Sequence, residues 1–147
     1  MKKLSIGLLL LCCTLLWAQS KLDIKEIEFS KIARGYEEHV RVNPDSVHVL
    51  IHDVRGEKPA TNFSRKLEKE EWVKLMDIAK SIKVSEIESL PSPTMKRASD
   101  AAMHGTLTLT TGKDKSYSHG FDDENPHDSL KPLLQAVREI SGRKETK

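Results

Sequence analysis

Residues 36–54 read YEEHVRVNPDSVHVLIHDV, and the order of apolar and polar side chains in that stretch decides the architecture. Val40 and Val42 alternate with His39 and Arg41; Val47, Val49 and Ile51 then alternate with His48 and His52. Successive side chains of an extended chain point to opposite faces, so each run sets branched aliphatics on one side and histidine or arginine on the other. Between the runs, Asn43-Pro44-Asp45-Ser46 supplies the reversal, because proline presets φ and Asn and Asp side chains bond readily to nearby backbone. Two half-buried strands joined by a short turn make a hairpin, and hairpins build antiparallel sheets.

The same period extends in both directions. Upstream, residues 24–32 (IKEIEFSKI) place Ile27 and Phe29 opposite Glu26 and Glu28, and Arg34-Gly35 turns that strand into the hairpin. Downstream, Gly56 and Pro59 interrupt the third strand, and residues 61–67 return as a further edge strand with Phe63 and Leu67. A three-to-four period takes over at Glu68. Glu68, Glu70 and Glu71 sit at the positive end of a helix dipole, and Trp72, Leu75, Met76, Ala79 and Ile82 form its stripe, with Trp72 expected to bury the largest area. Pro91-Ser92-Pro93 opens a loop over residues 91–102. Residues 105–111 and 116–121 form a second hairpin around Gly112-Lys113-Asp114-Lys115, which Asn125-Pro126 ends. A last helix carries Leu130, Leu133, Leu134, Val137 and Ile140, with Ser129 as its N-cap, Pro132 in its first turn and Ser141-Gly142 as its stop. The fold class is therefore α+β: a mainly antiparallel sheet of 4–6 strands with two helices packed on one face.

The chain has 147 residues, and the first twenty read as a signal peptide: a basic Met1-Lys2-Lys3, an apolar run over residues 4–17, and the small Ala18 and Ser20 at the positions a signal peptidase reads. Cleavage after Ser20 removes two of the 24 basic residues and none of the 22 acids, so the remaining 127 residues carry 22 of each sign. That balance offers nothing to nucleic acid. The expected organisation is a leader over 1–20, one domain over 21–142 and a charged disordered tail over 143–147, located in the periplasm or outside the cell. Cys12 and Cys13 both lie in the leader, so the mature chain has no thiol and no disulfide. Lipidation at Cys12 is a weaker alternative, since Leu11 precedes it where a lipoprotein signal places a small residue. No apolar stretch after Ser20 reaches the roughly 18 residues of a membrane span.

Chemistry-bearing side chains concentrate in YSHGFDDENPH, residues 117–127, where His119, Asp122, Asp123, Glu124 and His127 fall close together. Imidazole and carboxylate together ligate divalent metals, yet their spacing matches no ligand pattern, and the segment reads as a solvated acidic loop with no metal or cofactor. The basic stretch before the second hairpin contains Arg97 and Asp100, and Asp100 is expected to cap loop backbone N–H groups. Three of the six histidines, His39, His48 and His52, occupy outward strand positions, as ordinary exposed residues do. There is no G-x-S-x-G elbow, no H-E-x-x-H and no glycine-rich phosphate loop. The candidate binding residues are Arg97, Asp100, His119, Phe121, Asp122 and His127, with no catalytic residue among them.

Two stretches carry a resemblance: IESLPSPTMKRASDAA, residues 87–102, and YSHGFDDENPHDSLKPLL, residues 117–134. They resemble a family of uncharacterised exported bacterial proteins of about this size. In that family a Pro-rich stretch with a basic pair and an Asp precedes a strand, and a strand ending in Phe-Asp leads through a Pro turn to a closing helix. Where the family tends to read His-Gly and Pro-Pro around the turn, this chain has Asp123-Glu124 and Pro126-His127. The order of elements over residues 24–140 is also similar to that of the emfourin-type inhibitors of thermolysin-like metalloproteases, which implies a protein partner such as an extracellular protease. The resulting expectation is a small exported binding domain without enzymatic activity. Its rivals are a metal-dependent hydrolase using His119, Asp122 and His127, and an envelope structural component.

Overall fold

The structure is a computed structural model that describes residues 23–99 and 102–142. The leader, the charged tail and Asp100 lie outside the described residues. In chain order the elements are β1 (Ile24–Ala33), β2 (Tyr36–Val42), β3 (Ser46–Asp53), β4 (Thr61–Lys66), α1 (Lys69–Ala79), β5 (His104–Thr111), β6 (Ser116–Asp122) and α2 (Lys131–Ile140). The strands form one antiparallel sheet in the order β4-β3-β2-β1-β5-β6. The fold is α+β. The first four strands are a meander, and the chain then crosses over through α1 and short 3-10 turns to place β5 on the far side of β1.

Register aligns the inward side chains across the strands. Phe29 sits opposite Val40 on one side and Leu107 on the other, and Ile27 opposite Val42 and Leu109. Fully burying side chains of this size stabilises by roughly 1.5–3 kcal/mol each. These residues share one core with Leu75 and Ala79 of α1 and Leu133, Leu134, Val137 and Ile140 of α2, so both helices cover the same face. Arg65 of β4 ties that layer together: it grips both oxygens of Glu71 at 2.7 and 2.8 Å and donates to the Ile140 carbonyl at 2.7 Å. The opposite face is polar. There His39 touches Glu28 at 3.2 Å and Glu37 at 2.8 Å, while Thr108 meets Ser118 at 2.9 Å.

Three local expectations need correction. Trp72 is only half-buried, whereas Leu75 and Ala79 are fully enclosed. The helix begins just after the edge strand, so its first turn lies at the margin of the sheet and its middle reaches the core. α1 also stops at Ala79; Ile82 remains buried in a tighter turn closed by its N–H on the Ala79 carbonyl at 2.9 Å. Ser129 is not the cap of α2. A 3-10 turn (Asp128–Leu130) precedes that helix, and the cap of the turn is His127, whose Nδ1 accepts from the Ser129 N–H at 3.3 Å. Pro132 does lie in the first turn of α2. Among the described residues no helix is long and apolar enough to cross a membrane.

Candidate functional site

Three consecutive acids leave β6, and each binds a different part of the molecule. The turn that holds them puts Asp123 at φ +53° and closes with the Asn125 N–H on the Asp122 carbonyl at 2.9 Å. Asp122 is 2% exposed, and both its oxygens are occupied. Oδ2 accepts from Lys96 N–H at 2.7 Å and from the Thr94 hydroxyl; Oδ1 accepts from Arg97 N–H at 3.1 Å and Arg97 Nη1 at 2.8 Å. Those two N–H groups open the 3-10 turn Lys96–Ser99, whose first donors have no partner within the turn. Asp122 therefore caps this loop from 25 residues away, a role the sequence did not suggest for it; the capping expected of Asp100 falls outside the described residues. Burial alone would raise its carboxyl, but the hydrogen bonds from Thr94, from the Arg97 side chain and from the backbone of Arg97 and Lys96 outweigh that cost. Together they hold it well below the usual carboxylate range.

Asp123 secures the other end of the same loop, its N–H donating to the Met103 carbonyl at 2.8 Å and its Oδ1 accepting from the Met103 N–H at 2.9 Å. Glu124, partly exposed at the edge of the core, meets Lys31 and, at 2.7 Å, Arg138 Nη2. Neighbouring carboxylates thus hold residues 94–97 and Met103. The reading of the acidic Asn-Pro turn as a solvated loop is corrected for Asp122, which is buried among four protein donors, while Asp123 and Asn125 are exposed.

His119 is also enclosed, on the inward face of β6 against Phe121, whose ring stacks on Phe29 with centroids 6.4 Å apart. Its Nε2 accepts from the His127 N–H at 3.3 Å, so the proton sits on Nδ1 and the ring bonds to the Ile87 backbone. Burial is the main cause that depresses its pKa; the His127 and Arg97 charges add to it and the Ile87 bond opposes. His127 points its own Nδ1 at Ser129 Oγ, 2.9 Å away. The structure brings Arg97, His119, Phe121, Asp122 and His127 into one neighbourhood, but their polar atoms are turned on one another and on the backbone. Among the described residues no group of three His, Asp or Glu side chains is disposed to hold a metal.

A second cluster was missed by the sequence reading. Glu38, on the inward face of β2, is fully buried; it receives Arg138 Nη1 at 2.6 Å and the Tyr36 hydroxyl at 2.6 Å, with Lys31 Nζ at 3.9 Å. Arg138 also lies over the Phe29 ring at 5.3 Å. The signal was present: Glu38 stands between inward Tyr36 and Val40 in the two-residue period, and Arg138 adjoins Val137 in the helical stripe. A charge at an inward position implies a buried partner.

What faces solvent near the clasp is the loop's outer rim. From 91 to 95 exposure alternates: Ser92 and Thr94 turn inward while Pro91, Pro93 and Met95 turn out, with Met95 61% exposed. Beneath them Arg97 Nη1 donates to Ser92 Oγ at 3.0 Å and the Thr94 carbonyl at 3.1 Å, and Ser92 Oγ donates to that same carbonyl at 2.8 Å. The shallow groove on the outer side of α1, about 380 Å³ and bordered by Lys69, Val73 and Asp77, belongs to a different part of the surface. Set beside known proteins, the chain matches no family model and no curated sequence.

Proposed function

We propose that the chain is an exported binding domain without enzymatic activity, and that residues 91–97 are its recognition element. One observation carries this reading: buried Asp122 and partly buried Arg97 fix the backbone of that loop from below, while Pro91, Pro93 and Met95 face solvent. A loop whose backbone is already fixed loses little conformational entropy on binding, which favours affinity. The saturated Asp122 carboxylate and the enclosed His119 imidazole support binding in preference to hydrolysis by His119, Asp122 and His127.

The specific form of the proposal is inhibition of an extracellular protease. Its support is the preorganised, Pro-containing loop together with the resemblance in element order to emfourin-type inhibitors. Titrating the domain that begins at Lys21 against thermolysin is expected to remove turnover in proportion to the domain added, and undiminished turnover at tenfold excess discards the inhibitory form. Export is tested separately, by the intact mass of the protein recovered from periplasm and medium: a chain starting at Lys21 is expected, and one retaining residues 1–20 counts against cleavage.

A further inference from the structure

We infer that β4 is a dimerisation edge: two copies of this chain join antiparallel along Thr61–Lys66, with a two-fold axis at Phe63, so that their sheets become one.

The ladder fixes which backbone groups face outward. In an antiparallel pair, residues that exchange both N–H and carbonyl bonds alternate with residues whose backbone groups point away. The Asn43 N–H bonds to the Ser46 carbonyl at 3.0 Å and the Val54 N–H to the Gly35 carbonyl at 3.0 Å, so the backbone groups of even-numbered residues in β3 point to β2. Those of its odd-numbered residues therefore point to β4, where Val47, Val49 and Ile51 stand opposite Arg65, Phe63 and Thr61. The Leu67 N–H continues that series onto the Asp45 carbonyl at 3.0 Å. Asn62, Ser64 and Lys66 are left with N–H groups directed out of the sheet. Among the described residues no backbone group meets those of Asn62 or Ser64.

Little blunts this edge. The register with β3 runs unbroken from Ser46 opposite Lys66 to Ile51 opposite Thr61, and residues 61–64 contain neither proline nor charge. Bulges, prolines and charges are the devices by which sheets discourage pairing. The opposite edge is treated differently: the 3-10 turn Val84–Ser89 packs against β6, and His119 bonds to the Ile87 backbone there.

The strand's own sequence selects a second copy as its partner. Placing Asn62 of one copy opposite Ser64 of the other pairs outward groups with outward groups, brings the whole of β4 into register and sets Phe63 on its two-fold mate. Phe63 is 40% exposed, and it would stand at a non-hydrogen-bonded position of the new ladder, where facing side chains come closest. Each ring then covers apolar surface that the single chain leaves wet. The same register separates the two Lys66 residues by about 20 Å, whereas parallel pairing would set them side by side. A contact of this size is below that of a standard interface, so the dimer forms as concentration rises. β6 lies at the far side of the sheet, and both copies keep the loop held by Asp122 uncovered.

The test uses the chain from Lys21 onward, which contains every described residue and no cysteine. Sedimentation is expected to show its mass doubling between micromolar and millimolar concentration. Ser64→Pro is expected to stay at one chain throughout, with a cooperative melt, because that N–H faces away from β3 and edge strands accept proline there. Phe63→Cys is expected to form a disulfide-linked pair under oxidised glutathione, since α-carbons facing each other at such a position lie about 4.5 Å apart, within disulfide reach. Lys66→Cys is expected to form none. Circular dichroism checks each fold; should Phe63→Cys not fold, Ser64→Pro and Lys66→Cys still carry the test. A parent that remains one chain at millimolar concentration overturns the inference. So does a dimer that Ser64→Pro leaves intact, which places the contact elsewhere, and so does linkage through Lys66→Cys, which reverses the strand direction.

Discussion

Asp122 and His119 sit three residues apart on β6, and both are held in the protonation state that their neighbours require. Asp122 is kept ionised, so its contribution to stability is complete above the unfolded carboxylate value of about 3.9 and is lost progressively as pH falls below it. His119 has a depressed pKa, so the unfolded chain takes up a proton first; its contribution is complete above about 6.5 and declines as pH falls from there toward the folded value. Urea midpoints are expected to decrease in two stages, below about 6.5 and again below about 4. His119→Gln should flatten the first stage and Asp122→Asn the second; an unchanged profile in either variant contradicts the assignment. Glu38 makes a different demand. Glu38→Ala leaves the Arg138 guanidinium buried without its main partner, and equilibrium unfolding should show a loss of about 3–5 kcal/mol. Replacing both, as Glu38→Leu with Arg138→Met, should recover most of that loss, since Lys31 and Glu124 still satisfy each other.

At the scale of the elements, β5 and β6 approach closely at Gly105. A Cβ on Gly105 would lie 2.4 Å from both the Phe121 ring and the Asp123 carbonyl, so this position excludes any side chain. The ring cannot retreat without leaving Phe29, nor the carbonyl without disturbing the turn that holds Met103. Gly105→Ala is expected to cost about 1–3 kcal/mol, read from thermal melts, with a neutral result refuting the contact. The strands themselves were legible from alternation, including which of Val40, Val49 and Leu107 point inward, because that period depends only on the local backbone. Helix ends were less so: α1 stops before Ile82 although the apolar stripe continues, since a buried residue just past a helix can keep the stripe without the helical turn.

For the whole molecule, the turn after β6 is where sheet, crossing loop and closing helix are joined. Asp122 holds residues 94–97, Asp123 holds Met103, and Glu124 joins β1 to α2. If that junction is as tight as its geometry implies, the amide protons of Lys96, Arg97 and Met103 should exchange with solvent as slowly as that of Leu107 in β5, only on global unfolding. Exchange at loop-like rates would show the clamp opening on its own. By itself the sequence determined the α+β class and the inward and outward faces, because periodicity and turn residues act over a few positions; that the loop of Arg97 lies against His119 and Asp122 was decided by the tertiary structure. Only the tertiary structure decided which acid caps a loop, which histidine is enclosed and which glutamate sits in the core. Those roles depend on partners up to 100 residues apart, as Glu38 and Arg138 are, and desolvation and pairing of charge are set when the layers close rather than by any local pattern.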